Sequence, residues 1–484
     1  MEETGSLLSF CYPHGETYMR RVLSFLIIGL CAASVGFAQA GLSPAQKAKI
    51  DEAVAGVLTD SGAPSASIAV VWDGAIAYER AYGNATLTPP VRATTGMRYS
   101  IGSVSKQFTA AAIMVLEEGK RLSLDDKVSR WLPELTRAGD VSIRQLLSMT
   151  AGYQDYWPQD YVFQAMQTPT TAQHILNLWA RKPLDFDPGT KWQYSNTNYV
   201  IAGLIAERVA GMPLFEFLRI RIFSQLGMAS VKDVNVAPLG NEDATRYLRN
   251  ALGPCRVAPK EAAGWLFAAG ELAMTAHDLA VWNISMIRQT LLKPASYREM
   301  QTHVRLNSGV GVGYGLGLNV AMASDRRLLS HGGAVSGFLT QNSIYPDDGT
   351  AIVAFCNIYP GAAGPTTDIT GRIARIIFEK EDAEMARELE QAKSIFAGLQ
   401  KGTIDRSLLS ANASAYFTQE VLGDFASSLG SLGTPTEFAQ TAANRRGGMT
   451  FRGYRIRAGD RLLKLTVRIL GDGKIEQYLI ARDD

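Results

Sequence analysis

The chain has 484 residues, 46% of them hydrophobic, enough to bury a large core, and a formal net charge of only +2. So weak and scattered a charge excludes a dedicated nucleic-acid surface. Five histidines, no His-Glu-x-x-His, no Cys-x-x-Cys and no phosphate-cradling glycine loop argue against a metal or cofactor, so none is expected.

In chain order, the first signal is a leader. Met19-Arg20-Arg21 reads as a positive n-region, Val22 to Leu30 as an apolar h-region and Ala38-Gln39-Ala40 as a small-residue cleavage site. Residues 1–18 suit no signal peptide, so translation is read as starting at Met19, with cleavage after Ala40 and a periplasmic or secreted product. Leu30 before Cys31 is too large for a lipobox, and no stable membrane anchor is expected. Ser67–Trp72 and Ala75–Arg80 flank Asp73-Gly74, a two-residue hairpin signal.

Ser103-Val104-Ser105-Lys106 follows, with the serine and lysine three residues apart on one helix face. A lysine disfavoured as an ammonium can take the proton of a serine nucleophile. The bland alternative is an N-cap serine with a surface lysine. The apolar run Ala110–Leu116 continues a buried helix, closed near Gly119.

Past the Pro188-Gly189 turn, Tyr194-Ser195-Asn196 stands on a loop before a helix from about Tyr199 to Val209. A phenol there can shuttle a proton and a carboxamide can hold a carbonyl or amide; the alternative is a packed turn. Helical stretches dominate to about Arg298. Strand-like runs return at 313–320, 340–345 and 351–357, with His331-Gly332-Gly333-Ala334 between the first two and a helix at 370–378. The paired glycines either form a hairpin turn near a lone histidine or let a substrate backbone lie along an edge strand. Cys356 reads as a buried thiol, with a Cys255–Cys356 bridge as the alternative.

Beyond Glu379, residues 381–404 read as a charged helical linker with a mostly solvated face. Residues 405–484 read as a small α+β domain, with a helix near 418–429 and strands near 449–456, 462–470 and 477–481. Its expected roles are packing, oligomerisation or partial cover of a cleft.

Together the three motifs resemble the serine hydrolases that share the class C β-lactamase fold, a superfamily of DD-peptidases, D-amino-acid peptidases and β-lactamase-like carboxylesterases. The resemblance includes Tyr99–Thr109, Leu122–Val128 and Gly270–Ala280, and runs from about Ile50 to Glu379. It implies an α/β (α+β) fold over residues 41–380, a sandwich of an antiparallel sheet flanked by helices plus a helical region. The C-terminal domain weakly resembles NTF2-like modules.

The resemblance also implies roles. Ser103 would attack a carbonyl to form an acyl-enzyme, with Lys106 and Tyr194 sharing the proton work and the identity of the base left open. The N–H groups of Ser103 and Ala334 would form an oxyanion hole, and Asn196 would hold the substrate amide or acyl oxygen. His331, beside Gly332 and Gly333, would either meet a substrate carboxylate as a group titrating near 6.5 or be a neutral structural residue.

Two segments depart from the pattern. Met149 and Ala151 stand where the family commonly has histidine and serine. His331-Gly332-Gly333 stands where efficient β-lactamases carry Lys-Thr-Gly. The expected substrates are therefore small esters or D-amino-acid-type amides and peptides. The alternatives are a β-lactamase or penicillin-binding DD-carboxypeptidase, and a non-catalytic binding or scaffold protein. The partner is a small-molecule or peptide substrate, and the oligomeric state is left open.

Overall fold

The computed structural model describes residues 41–159, 161–359, 364–378 and 383–483; the leader motif lies outside them. The main sheet joins the two ends of the chain segment that carries the motifs. Its strands are β1 (Ser65–Trp72), β2 (Ala75–Leu87), β3 (Pro90–Arg92), β4 (Asn319–Ala323), β5 (Arg326–Val335), β6 (Phe338–Tyr345) and β7 (Thr350–Cys356). They run in the order β3-β2-β1-β7-β6-β5-β4, and every pair is antiparallel. The Asp73-Gly74 turn closes β1 on β2 with both residues at positive φ, 51° and 68°, as a two-residue hairpin twisted to match its strands requires.

β1 and β7 form the centre of the sheet and read as continuous apolar runs because both of their faces are covered. On one face Ile68, Val70, Ile352 and Ala354 pack with Ile50, Val54 and Val57 of α1 (Pro44–Ser61) and with Ile369 and Ile373 of the C-terminal helix Pro365–Phe378. Ala69, Val71, Val353 and Phe355 turn the other way, into the large core shared with the helical region. That region is built on α2 (Lys106–Glu118), buried from Lys106 to Leu116, and α3 (Asn196–Ala210), which packs beside it. Small residues at 110–112 leave room for so complete an enclosure. Cys255 and Cys356, the cysteines among the described residues, are both free, and burial pushes the Cys356 thiol up to about 12.

Several sequence expectations are corrected. The run at 313–320 enters the sheet only from Asn319; before it Gly313 and Gly317 sit at positive φ and the chain turns. Residues 331–335 are strand, not turn, and extend β5 past the end of β4, which pairs only with 326–330. The C-terminal sheet has four strands, β8 (Glu437–Arg446), β9 (Met449–Ala458), β10 (Arg461–Ile469) and β11 (Ile475–Arg482), in sequential order. β8 escapes sequence reading because it is a polar, largely exposed edge with no apolar alternation. The reading of 381–404 as a solvated linker is also corrected. Ala392, Ile395, Phe396 and Leu399 of the helix Ala383–Leu399 recur at helical spacing and are buried in the C-terminal core with Tyr454, Leu465 and Tyr478.

That core contains one charge pair. Arg452 Nε meets Glu388 Oε2 at 2.7 Å, with side chains only 4% and 2% exposed. Removing one member of a buried pair strands the other. Glu388→Ala is therefore expected to destabilise the C-terminal module by about 3–5 kcal/mol, read as a fall in its urea midpoint; a change within 0.5 kcal/mol, the usual scale of a surface substitution, would contradict the account.

Candidate active site

The position of Ser103 is set from three sides. Tyr99–Ser100 pairs with Leu272–Met274, and the Ile101 N–H donates to the Leu272 carbonyl at 2.9 Å. The chain then enters a 3-10 turn, Gly102–Ser105, that runs directly into α2. The Leu272 N–H donates back to Ser105 Oγ at 3.2 Å. Gly102 has φ +51°, and a Cβ there would stand 2.8 Å from the Ala334 nitrogen; a Cβ on Gly333 would run into the Ile101 carbonyl oxygen. Only glycine at these two positions lets the backbone of β5 lie against the start of α2. Ser103 is half-buried at the floor of a cleft of about 350 Å³ whose walls include Asp155, Tyr194, Asn196, Gly270 and Ala334.

Lys106 is wholly buried, and its Nζ meets three oxygens: Ser103 Oγ at 3.0 Å, Asn196 Oδ1 at 2.8 Å and the Ala269 carbonyl at 2.8 Å. Burial lowers its pKa to about 7, against the pull of Asp155 in the other direction. The Ala269 carbonyl is held in place by Ala268, at φ +56°, whose own carbonyl accepts from Thr109 Oγ1 at 2.7 Å. The rings of Tyr194 and Tyr199 lie 5.0 and 5.6 Å from the Lys106 nitrogen. Burial raises the Tyr194 phenol well above its ordinary value, only partly offset by its hydrogen bond with Ser103.

Asn196 opens α3, and Asp155 fixes it there. The carboxylate accepts from the Asn196 backbone N–H at 3.0 Å and from its Nδ2 at 3.2 Å on both oxygens. With both Nδ2 contacts taken up by Asp155, Oδ1 is turned to Lys106. The same carboxylate accepts from the Trp157 N–H at 3.1 Å, and Thr197 Oγ1 donates to the Gln154 carbonyl at 2.7 Å, so loop 154–157 is tied to the first turn of α3. Asp155 was not among the residues expected from sequence. It lies just past the Leu146–Gly152 loop, and its only signal was that position.

Met149, at φ +63° and fully buried, braces the Tyr194 loop from below. Its sulfur accepts from the Ser195 N–H at 3.4 Å and lies 3.7 Å from Asn198 Nδ2, while its carbonyl accepts from Gln193 N at 3.0 Å. Loop 146–152 thus shapes the cleft through its packing. The Ser195 hydroxyl and Asn198 Oδ1 are buried beside it with no hydrogen-bond partner among the described residues.

His331 is buried, and both ring nitrogens are engaged. Nδ1 lies 2.6 Å from the Gly332 carbonyl oxygen and must donate to it, so Nε2, 2.9 Å from the Tyr314 hydroxyl, accepts. Burial, reinforced by Lys106, lowers its pKa to about 4. The ring is neutral at pH 7 and has no free N–H for a substrate anion. Of the two expectations for His331, its burial and these two hydrogen bonds favour the neutral structural residue.

Along β5, the Ser336-Gly337 turn makes Val335 and Phe338 the closing hydrogen-bonded pair, so Ala334 opposite Leu339 is a non-hydrogen-bonded pair. The Ala334 N–H and C=O accordingly point away from β6. Among the described residues no strand covers that edge from His331 to Val335.

A serine, a buried lysine, a tyrosine and an asparagine converging on a half-covered sheet edge define the site of a β-lactamase/transpeptidase-type fold. Residues 50–374 match the Beta-lactamase family, and the chain belongs to it. It is 28% identical over 298 residues to penicillin-binding protein 4* of Bacillus subtilis (strain 168), covering 59% of this chain and 66% of that one. To the D-aminopeptidase of Brucella anthropi it is 27% identical over 328 residues, 67% and 61% of the two chains. The matches thus span less than two thirds of the length of either relative. Among solved structures, a D-stereospecific amidohydrolase from Streptomyces sp. superposes with TM-score 0.60 at 25% identity, covering 69% of this chain and 99% of that one. The octameric penicillin-binding protein homologue of Pyrococcus abyssi, at 19% identity and TM-score 0.62, shares the fold over 90% of this chain and 99% of its own.

If Asp155 aims Asn196 at Lys106, Asp155→Asn should lower kcat/KM for any turned-over ester by about 10- to 100-fold, the worth of hydrogen bonds to a charged group. It should also move the acid limb of the pH profile downward, because the charge that favours the ammonium is gone. An unchanged rate and limb would show that Asp155 only caps α3.

Proposed function

We infer that the chain is a serine hydrolase that acylates on Ser103 and transfers the acyl group to water. The observation that carries this reading is the set of contacts around Lys106. The Ala269 carbonyl can only accept, and Asn196 presents its Oδ1, so the two engage both N–H bonds of a neutral amine. The remaining lone pair faces Ser103 Oγ at 3.0 Å. Lys106 is then the base: it takes the Ser103 proton as the oxygen attacks the carbonyl carbon. Our reading thus gives the proton work to lysine.

The oxyanion formed by attack would be met by the N–H groups of Ser103 and Ala334, the latter aimed off the sheet edge. Tyr194, kept protonated by burial, passes a proton from the Lys106 ammonium to the leaving nitrogen or oxygen. The C–N or C–O bond then breaks to leave the acyl-enzyme. Water repeats the sequence in deacylation. Asn196 is shared between Lys106 and the substrate's acyl amide, while Gly332 and Gly333 leave the β5 edge clear for an extended substrate.

The favoured substrates are D-amino-acid-type amides and peptides, or small esters. Support comes from the neutral His331 in place of a cationic lysine, which removes a grip on a β-lactam carboxylate, and from the D-aminopeptidase and D-stereospecific amidohydrolase among the similar proteins. The motif at residues 19–40 supports export to the periplasm or beyond.

Since the reactive form of Lys106 is the free amine, kcat/KM should fall about tenfold per pH unit below its pKa of about 7 and level off above it. A D-alanyl 4-nitroanilide should be cleaved at least about tenfold faster than its L isomer, and Ser103→Ala should abolish turnover without loss of fold. Turnover of a chromogenic cephalosporin exceeding that of both anilides, or wild-type rates in Ser103→Ala, would overturn the assignment.

A further inference from the structure

Behind the segment that gives Lys106 the Ala269 carbonyl lies a second cavity, of about 380 Å³. Ala269 and Gly270 line the active-site cleft, whereas Glu271 lines only this second cavity. Glu271 is 2% exposed, and the charges that act on it, those of Asp233 and Glu207, are both negative. A carboxyl buried among carboxyls is costly in its charged form. Burial and the two neighbours push Glu271 well above the usual carboxylate range, so the neutral acid is the form it favours.

Its contacts lie in the backbone that leads to Lys106. The Glu271 carbonyl accepts from the Val234 N–H at 2.9 Å, and Asp233 is the cross-strand partner of Leu272. Asn235 Nδ2 donates to Glu271 Oε2 at 3.2 Å, while Asn235 Oδ1 accepts from the Gly264 N–H at 2.8 Å. The Ala268 N–H donates to the same Glu271 carboxyl. Ala268 is the strained point of the segment, since φ +56° is a conformation that a residue with a Cβ rarely adopts. Its side chain is seated against α3 where Gly203 leaves room; a Cβ on Gly203 would stand 2.3 Å from the Ala268 Cβ. Thr109 of α2 holds the Ala268 carbonyl and Glu271 holds its N–H, so the residue is gripped at both of its peptide groups. The next carbonyl, that of Ala269, is the one left on Lys106.

We propose that Glu271 is a positioning residue for Lys106: by holding the Ala268 N–H it keeps the left-handed turn that aims the Ala269 carbonyl at the amine. That carbonyl and Asn196 Oδ1 engage two N–H bonds, which leaves the lone pair facing Ser103. Once the carbonyl swings away, the amine is free to rotate and the lone pair loses its fixed direction. The assignment rests on the acyl-transfer reading above, in which Lys106 is the base. Glutamine at 271 reproduces the neutral acid, since its oxygen accepts from Ala268 and its Nε2 can donate to Asp233. Leucine fills the space and does neither. Glycine at 268 adopts positive φ without a Cβ penalty and should need the tie less.

The test compares Glu271→Gln, Glu271→Leu and the double variant Glu271→Leu with Ala268→Gly. Two readouts are used: turnover of the D-alanyl 4-nitroanilide and, without substrate, titration of Lys106 followed by 13C at its Cε. Glu271→Leu should lose about tenfold or more in kcat with KM within about twofold. Its Lys106 midpoint should move downward from about 7, because an acceptor that favours the ammonium has been withdrawn. Glu271→Gln should keep kcat within about threefold and the midpoint within about 0.3 pH units. The double variant should recover about threefold or more of the loss in kcat. An unmoved midpoint in Glu271→Leu, whatever its rate, or equal effects of leucine and glutamine, would overturn the positioning role and leave the reaction standing. If the single leucine variant does not fold, the double variant is compared with the wild type on the same two readouts. Failure of both to fold would make Glu271 a residue of the fold alone and would also overturn the role. A midpoint moved by leucine and not by glutamine, in a chain whose wild type cleaves nothing, would overturn the reaction and leave the positioning role standing.

Discussion

A primary amine buried in the middle of a protein is expensive as a cation, and much of this fold is arranged around that expense. Lys106 sits at the first turn of a helix that is enclosed for its first eleven residues, and no carboxylate touches its nitrogen. The nearest acid that acts on it, Asp155, is turned away to hold the Asn196 amide and reaches the amine only through that side chain. Had the carboxylate paired with the lysine directly, the ammonium would be favoured and the amine useless as a base at neutral pH. Placing a carboxamide between them keeps the acid's orienting power while most of its charge stays at a distance.

The same logic of close approach governs the strand. Gly102 and Gly333 let the start of α2 and β5 touch backbone to backbone, so one short turn carries Ser103 and faces the open strand edge. β4 begins at Asn319, the partner of Ser330, leaving residues 331–335 with one open side. The helical region contributes the Tyr194 loop, braced by Met149, and the segment 268–274 contributes both a carbonyl for Lys106 and a strand that pins Tyr99–Ser100. Each wall of the cleft thus comes from a different part of the chain, and each is anchored by a contact within a few residues of the group it presents.

How much of this was legible in the sequence follows from how local each signal is. Ser103 and Lys106 were readable because their relation is one helical turn, and Tyr194 and Asn196 because a Pro-Gly turn and an apolar helix bracket them. Asp155 acts across 41 residues through an amide, and the Ala269 carbonyl belongs to the backbone, so neither leaves a side-chain pattern to find. The charge state of His331 depended on burial and on Tyr314, which no spacing reveals. In the C-terminal module the helix Ala383–Leu399 does carry an apolar stripe, at 392, 395, 396 and 399, but the dense charges on its other faces masked it. The strand β8 carried no pattern at all.

The central claim is that Lys106 is an uncharged amine over much of the neutral range, and it can be measured without any substrate. In protein labelled with 13C at lysine Cε, the Lys106 signal, assigned by its loss in Lys106→Met, can be followed from pH 5 to 11. The account predicts a titration near 7, well separated from the other lysines. A midpoint near the ordinary value of about 10.4 would mean that Lys106 is a resident ammonium, and the assignment of the base would pass to another group.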